Sequence, residues 1–177
     1  MNEFMGLGAA MAGGMLPALA WLWFWLREDS KHPEPRRLIA LAFLSGMIAV
    51  AIVIPLEQAV ASAIGMGTLT FTAWSMIEEV VKFAIAYVTV LRLRTNDEPI
   101  DAVIYMVTVA LGFAAAENTL FLLSPLAGDT TLQAVMTGNL RFVGATLLHV
   151  LSSSAIGVMV GSAFYRARTI KIEAGLA

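Results

Sequence analysis

Long runs of apolar residues, separated by short polar stretches, dominate the pattern of the chain. A helix that crosses a bilayer needs about 20 mostly apolar residues, and five runs reach that length. They cover residues 4–26, 38–56, 70–91, 100–123 and 140–164. The pattern therefore predicts an all-α bundle of five transmembrane helices, which forms a single integral-membrane domain over residues 1–177.

The composition agrees with a membrane protein and excludes several other classes. Apolar residues make up 59% of the chain and charged residues 14%, against about 45–50% and 25% in soluble domains. A formal charge of −2 argues against a nucleic-acid partner, which favours a basic surface. The chain has no cysteine, so disulfides, thiolate-bound metals and thiol nucleophiles are excluded.

Basic residues outside the apolar runs predict how the chain is oriented in the lipid bilayer. They follow predicted helices 1, 3 and 5, whereas the stretches at about 57–69 and 124–139 contain no Lys or Arg. Because cytoplasmic loops carry the excess of Lys and Arg, we expect the amino terminus outside the cell and the carboxyl terminus in the cytoplasm. The residues concerned are Arg27, Lys31, Arg36, Arg37, Arg92, Arg94, Arg166, Arg168 and Lys171.

Ionisable residues within the predicted spans are the candidates for chemistry, since each is costly in a bilayer. At about 1.5 Å per helical residue, Glu78 lies about 12 Å from the outer end of its helix, Glu117 about 9 Å and His149 about 13 Å. Glu79 and Lys82 accompany Glu78 on helix 3. Three helices are therefore predicted to bring acids and a histidine into one layer, in the outer half of the membrane.

This layer has the composition of a hydrolytic site. A carboxylate can take a proton from water, and an imidazole can bind a metal or stabilise an oxyanion. Glu78, Glu117 and His149 also resemble a three-ligand zinc site with one position open for water, so a divalent metal such as zinc is a candidate cofactor. Lys82 lies one helical turn from both Glu78 and Glu79 and is expected to neutralise one of them. Either glutamate is a candidate for the base.

Other polar and small residues have simpler structural interpretations. Asn118 suits either the site or hydrogen bonding between helices, and Arg141 suits an anchor at the outer interface. Asp101, at the start of helix 4, complements the helix dipole. Gly157 begins a GxxxG pattern that predicts close helix packing. The serines at positions 152–154 are expected to bond to backbone carbonyls.

Four motifs follow one another along the chain. They are Pro33-Glu34-Pro35, Glu78-Glu79-x-x-Lys82, Gly112-Phe113-Ala114-x-x-Glu117-Asn118, and Arg141 followed by His149 and Gly157. In this order, over about residues 20–161, the chain resembles the PrsW family of intramembrane proteases. That family is related to the CAAX prenyl protease and bacteriocin-processing superfamily, whose EExxxR motif has its arginine one residue later than Lys82.

The resemblance implies hydrolysis of a peptide bond in or beside the membrane, near its extracytoplasmic face. By matching motif, the catalytic residues would be Glu78, Glu79, Glu117 and His149, with Lys82, Asn118 and Arg141 in support. In a metal-dependent site, Glu78, Glu117 and His149 would be the ligands. The implied substrate is a membrane-anchored protein similar to an anti-sigma factor, and the implied location is the plasma membrane of a prokaryote.

Two other functions fit parts of the same pattern. Glutamate and histidine chains in membranes also relay protons in transporters, but no inverted repeat or broken helix pair is visible in the sequence. A non-catalytic membrane scaffold is the second alternative, and the presence of all four motifs argues against it. The predicted function is therefore an intramembrane protease that uses a glutamate-activated water, with or without a metal.

Overall fold

A computed structural model of the chain describes residues 3–28, 33–127 and 144–175. These residues form helices and connecting segments without any strand, which confirms the predicted all-α bundle. The helices are α1 (Glu3–Glu28), α2 (Arg36–Ile64), α3 (Thr68–Ala86), α4 (Pro99–Ala127) and α5 (Thr146–Gly175), and a π-helical turn (Tyr87–Leu91) follows α3.

Four of the described helices are long and apolar enough to cross a membrane. The spans are Gly6–Arg27, Arg36–Ile64, Pro99–Leu123 and Thr146–Ala163. The remaining helix, α3, has 19 residues but carries Glu78, Glu79 and Lys82 within little more than one turn. The chain is therefore a polytopic membrane protein, while the crossing of α3 and the orientation of the bundle stay predictions.

Helix α2 continues past the end that hydropathy predicts. The apolar run stops at Leu56, but the helix reaches Ile64 because Glu, Gln and Ala favour helix without being buried. Gly65, with a φ of 73°, ends the helix in a left-handed conformation that suits glycine. The predicted connection over residues 57–69 is therefore wrong, since only residues 65–67 link α2 to α3.

Helix α4 is the centre of the bundle. It packs against α1, α2 and α5, and every residue from position 105 to 115 is buried. Helix α3 packs mainly on α2 and has fewer contacts with α4 and α5, so its outer face, which includes Met76 and Val80, is exposed. Helices α3 and α5 thus both lie against α4, which brings the site residues of the three helices together.

Two glycines let α2 and α4 approach each other at backbone distance. A Cβ atom at Gly46 would lie 2.9 Å from the carbonyl carbon of Val109 and still closer to its oxygen. On α4, a Cβ atom at Gly112 would meet the carbonyl of Phe43 in the same way. Gly112 belongs to the motif that precedes Glu117, so this reciprocal contact also holds α4 beside the candidate site.

A similar contact joins α4 and α5. A Cβ atom at Gly157 would lie 2.7 Å from the Cα of Val103, and one at Gly161 would meet the carbonyl of Pro99. Small residues permit this approach between membrane helices, where packing rather than the hydrophobic effect drives association. The close packing predicted from the GxxxG pattern is confirmed.

Side chains of α4 hold the segments that precede it. The Asp101 carboxylate accepts hydrogen bonds from the backbone N–H groups of Asp97 at 3.0 Å and Glu98 at 2.7 Å. These bonds satisfy backbone donors of the segment just before the helix, and the complementarity of Asp101 to the helix dipole stays a prediction. One turn further, the Tyr105 hydroxyl donates a hydrogen bond to Glu34. The Pro33-Glu34-Pro35 motif is thereby attached to the central helix.

The Gly46 contact generates a stability prediction. Gly46→Ala places a methyl group against the Val109 backbone, which cannot yield as a flexible side chain would. We expect a loss of about 1–3 kcal/mol, the usual cost of overpacking, measured by thermal unfolding in detergent. Gly8→Ala is the matched control, because a Cβ atom at that helical glycine meets nothing within 4 Å. Equal midpoints for the two variants would contradict the proposed close approach.

Candidate active site

Three helices bring the predicted polar residues together. Helix α3 contributes Glu78, Glu79 and Lys82, α4 contributes Glu117, and α5 contributes His149. The ring nitrogens of His149 lie 3.5 Å from a Glu78 oxygen and 3.1 Å from a Glu117 oxygen. The three elements that the sequence places at a similar depth thus meet in one contact network.

Lys82 is fully buried at the centre of this network. Its Nζ atom lies 2.5 Å from Glu79 Oε1, 3.8 Å from Glu78 Oε2 and 3.0 Å from His149 Nδ1. It also lies 4.6 Å from the centre of the Phe113 ring, a geometry that favours cation–π attraction. A buried ammonium needs such partners because its desolvation is otherwise uncompensated.

The Lys82 contact determines the tautomer of His149. An ammonium group has only donors, so Lys82 donates to Nδ1, and Nδ1 accepts with its lone pair. The proton of the neutral ring then lies on Nε2, which donates to Glu117 Oε2 at 3.1 Å. Phe113 packs edge-on against the imidazole, with the ring centres 5.2 Å apart. The contacts of the neutral ring therefore assign its orientation and its tautomer.

Glu79 is held by both of its oxygens. Oε1 accepts hydrogen bonds from Lys82 and, at 2.7 Å, from Ser152, while Oε2 accepts one from Ser153 at 2.8 Å. Ser153 is buried. The expected bonding to a backbone carbonyl is confirmed for Ser152, whose single hydroxyl hydrogen has the Leu148 carbonyl at 2.9 Å as a second acceptor beside Glu79. For Ser153, which bonds to Glu79, the expectation is wrong. The spacing of the two serines, three and four residues after His149, which places them on its helix face, is the signal that was missed.

A cavity of about 410 Å³ lies between α2, α3 and α4, and Glu78 and Glu117 line it. Glu57 of α2 also lines this cavity. Sequence reasoning missed Glu57 because the predicted helix ended one residue earlier, at Leu56. The acidic residue directly after an apolar run was the available signal.

The supporting residues have different positions. Asn118 is buried on α4, and its Nδ2 donates a hydrogen bond to Thr146 Oγ1 at 3.1 Å. It therefore links α4 to the start of α5, close to His149 along the chain, and this contact agrees with the interhelical interpretation. Arg141 lies outside the described residues, so its predicted support stays a prediction.

The three predicted metal ligands fit a metal ion only in part. Glu117 and Nε2 of His149 are 3.1 Å apart, as two ligands of one ion would be. Glu78 lies beside the other ring nitrogen, and one imidazole cannot direct both nitrogens at a single ion. Among the residues that the structure describes, no three His, Asp or Glu side chains converge on a common metal position.

Comparison with known proteins places the chain in a family. The profile of the PrsW family of intramembrane metalloproteases matches residues 34–176. The chain belongs to the PrsW family. This family membership confirms the resemblance drawn from the motifs, and the match covers all the site residues described above.

Curated relatives named Protease PrsW agree with this assignment. The protein from Geobacillus kaustophilus is 27% identical over 161 residues, covering 89% of this chain and 66% of the relative. The protein from Bacillus subtilis is 26% identical, covering 93% of this chain and 73% of the relative. The protein from Oceanobacillus iheyensis is also 26% identical, covering 86% of this chain and 68% of the relative. The chain thus spans about two thirds of the length of these bacterial PrsW proteins. No solved structure matches it.

The buried ion pair of this PrsW-family site generates a second prediction. Lys82→Met leaves Glu79 without its cation, and removing one partner of a buried pair costs about 3–5 kcal/mol. We expect the double variant Lys82→Met/Glu79→Gln to be less destabilised than the sum of the two single variants. Thermal unfolding of all four proteins completes a double-mutant cycle. Additive losses would show that the two groups do not stabilise each other.

Proposed function

We propose that this chain is an intramembrane peptidase that hydrolyses a peptide bond of a membrane-anchored protein near the extracytoplasmic face. The observation that carries the proposal is the contact of His149 with both Glu78 and Glu117 beside an accessible cavity. Family membership supports peptide hydrolysis over the transporter and scaffold alternatives.

Glu78 is the proposed general base. Its carboxylate lines the cavity, whereas both oxygens of Glu79 accept hydrogen bonds from Lys82, Ser152 and Ser153. Glu78 takes a proton from water as the water oxygen attacks the carbonyl carbon. It then returns that proton to the leaving amine as the C–N bond breaks. This distribution of hydrogen bonds supports the assignment of the base role to Glu78 rather than to Glu79.

The remaining residues orient the site and stabilise charge. His149 carries its proton on Nε2, and before substrate binds this N–H donates to Glu117, which holds the ring in place. As the tetrahedral intermediate forms, the same N–H would shift its hydrogen bond from Glu117 to the oxyanion. Glu79 and Lys82 act through their neighbours, because buried Lys82 touches Glu78, Glu79 and His149 rather than the cavity.

A divalent metal such as zinc belongs to the proposal because the family is described as metalloproteases. Glu117 and Nε2 of His149 would hold it. The ring proton would then lie on Nδ1, where Glu78, 3.5 Å away, would accept it, as outer-shell carboxylates do. Bound there, the metal would polarise a carbonyl or lower the pKa of a water. Binding would thus shift the proton from Nε2 to Nδ1, because the histidine ligand is a neutral imidazole.

The proposed substrate is a membrane-anchored protein similar to an anti-sigma factor, and the proposed location is the plasma membrane of a bacterium. Support comes from the family resemblance, the apolar helices and the bacterial relatives. The extracytoplasmic position of the cut follows from the distribution of basic residues, which predicts that the site layer lies in the outer half of the bilayer.

Substitution of the site residues tests the chemistry. Glu78→Gln, Glu117→Gln and His149→Ala should each reduce kcat/KM for a membrane-anchored peptide in liposomes by on the order of 10²–10⁴-fold, because each removes an acid–base or donor group. Asp97→Asn, an exposed carboxylate at the start of α4, is the control and should cleave like the parent. Folded variants that all retain parental activity would refute the assigned roles.

The metal part of the proposal has its own measurement. Equilibrium dialysis of zinc against purified, metal-free protein should show a decrease in affinity of at least about tenfold for Glu117→Gln and His149→Ala. Asp97→Asn should bind like the parent, since its exposed carboxylate lies outside the site. Equal binding by all four proteins would overturn the ligand assignment. Cleavage by the metal-free parent would establish direct activation of water by Glu78.

A further inference from the structure

The cavity beside the site has two kinds of lining residue. Glu57, Glu78 and Glu117, here called the polar wall, contribute carboxyl groups. The remaining lining side chains, here called the apolar wall, are aliphatic or aromatic, with Ile54 and Phe121 among them. The polar wall includes the two residues that contact His149, Glu78 and Glu117. A group inside the cavity therefore contacts apolar surface while it lies against the proposed base.

The apolar wall reaches the outside of the bundle. Ile54, Leu120 and Phe121 are 37%, 46% and 51% exposed, and all three line the cavity. They belong to α2 and α4, two helices that are apolar enough to cross the membrane. The cavity thus opens on the side of the bundle that faces lipid, so a segment embedded in the bilayer can enter it laterally.

We propose that this cavity is the subsite for a large apolar side chain of the substrate, directly beside the bond that is cut. The inference rests on the proposed peptidase function, because it takes Glu78 as the base. Glu78 lines the cavity, so a residue whose side chain fills the apolar part presents its own backbone to the carboxylate. The site thereby selects the residue at the cleavage position.

Size and charge identify the class of side chain. A volume of about 410 Å³ is near the lower end of the range for ligand pockets, about 300–1,000 Å³. An alanine methyl would leave most of this space unfilled, whereas Leu, Met or Phe gains contact with the walls. An acidic side chain would meet three carboxyl groups. A lysine gains little, because Glu78 and Glu117 already pair with Lys82 and His149.

The polar wall favours a peptide over a lipid chain as the occupant. A substrate helix that unwinds for cleavage exposes backbone N–H groups, which must be satisfied within the membrane. The carboxylates of Glu78 and Glu117 line the cavity as acceptors for such donors. A lipid acyl chain has no donor to offer, and it would leave these groups against hydrocarbon. We therefore assign the cavity to a membrane-embedded peptide segment.

The first experiment substitutes one side chain of the apolar wall. Parent, Ile54→Trp and Ile52→Trp are compared on membrane-anchored peptides with Ala, Leu, Phe or Lys beside the scissile bond. Ile52 is the matched control because it is 44% exposed on the same helix but does not line the cavity. The parent and Ile52→Trp should prefer Leu and Phe over Ala by on the order of tenfold in kcat/KM. Ile54→Trp should reverse that preference.

A parental preference for Ala or Lys, or a preference that Ile54→Trp leaves unchanged, would overturn the subsite.

A second measurement does not depend on cleavage. A transmembrane peptide carrying photoreactive leucine is crosslinked to Glu78→Gln protein in liposomes, and the attachment sites are mapped. Attachment to the cavity-lining residues of α2 and α4 supports the subsite. If the parent protein shows no cleavage of any peptide, only the peptidase proposal fails and the subsite stands. Attachment elsewhere, or equal labelling by a photoreactive phospholipid, overturns the subsite.

Discussion

A lysine ammonium enclosed by helices determines the arrangement of this site. Lys82 is fully buried, and a charge in that setting persists only with close partners. Glu79, His149 and the ring of Phe113 supply them from three different helices. The pairing with Glu79 occupies one oxygen of that glutamate, and the contact with His149 selects the tautomer. The proposed difference in role between Glu78 and Glu79 follows from the contacts of the same ammonium group.

Close backbone packing at glycine residues brings the helices near enough for these partners to compensate the buried charge of Lys82. Contacts at Gly46 and Gly112 bring α2 against α4, and those at Gly157 and Gly161 bring α5 against the same helix. Helix α3 lacks comparable contacts and lies mainly on α2. Its polar groups are held instead by hydrogen bonds to α5. Close backbone packing thus positions α2, α4 and α5. Charge and hydrogen bonding position α3, which carries the proposed base.

Hydropathy and motif order predicted the helices, the family and the residues that meet at the site. They failed where a structure depends on partners from other helices. Glu57 was assigned to a connection because hydropathy falls at Leu56, although the helix continues. The bonds from Ser152 and Ser153 to Glu79 need the register of α5 against α3, which one sequence does not contain. The positions of Glu78 and Glu117 on opposite sides of the His149 ring likewise depend on how three helices pack.

The compactness of the contact network has a consequence for the membrane potential. A charge that crosses the whole potential changes in energy by about 2.3 kcal/mol per 100 mV. Neighbouring groups here lie 3.1 and 3.5 Å apart, about a tenth of a hydrocarbon core of roughly 30 Å. In the proposed mechanism a proton moves over similar distances, from water to Glu78 and on to the leaving amine, and so crosses little of the field, worth only about 0.2 kcal/mol per 100 mV. Turnover at this site would proceed at nearly the same rate in energised and de-energised cells.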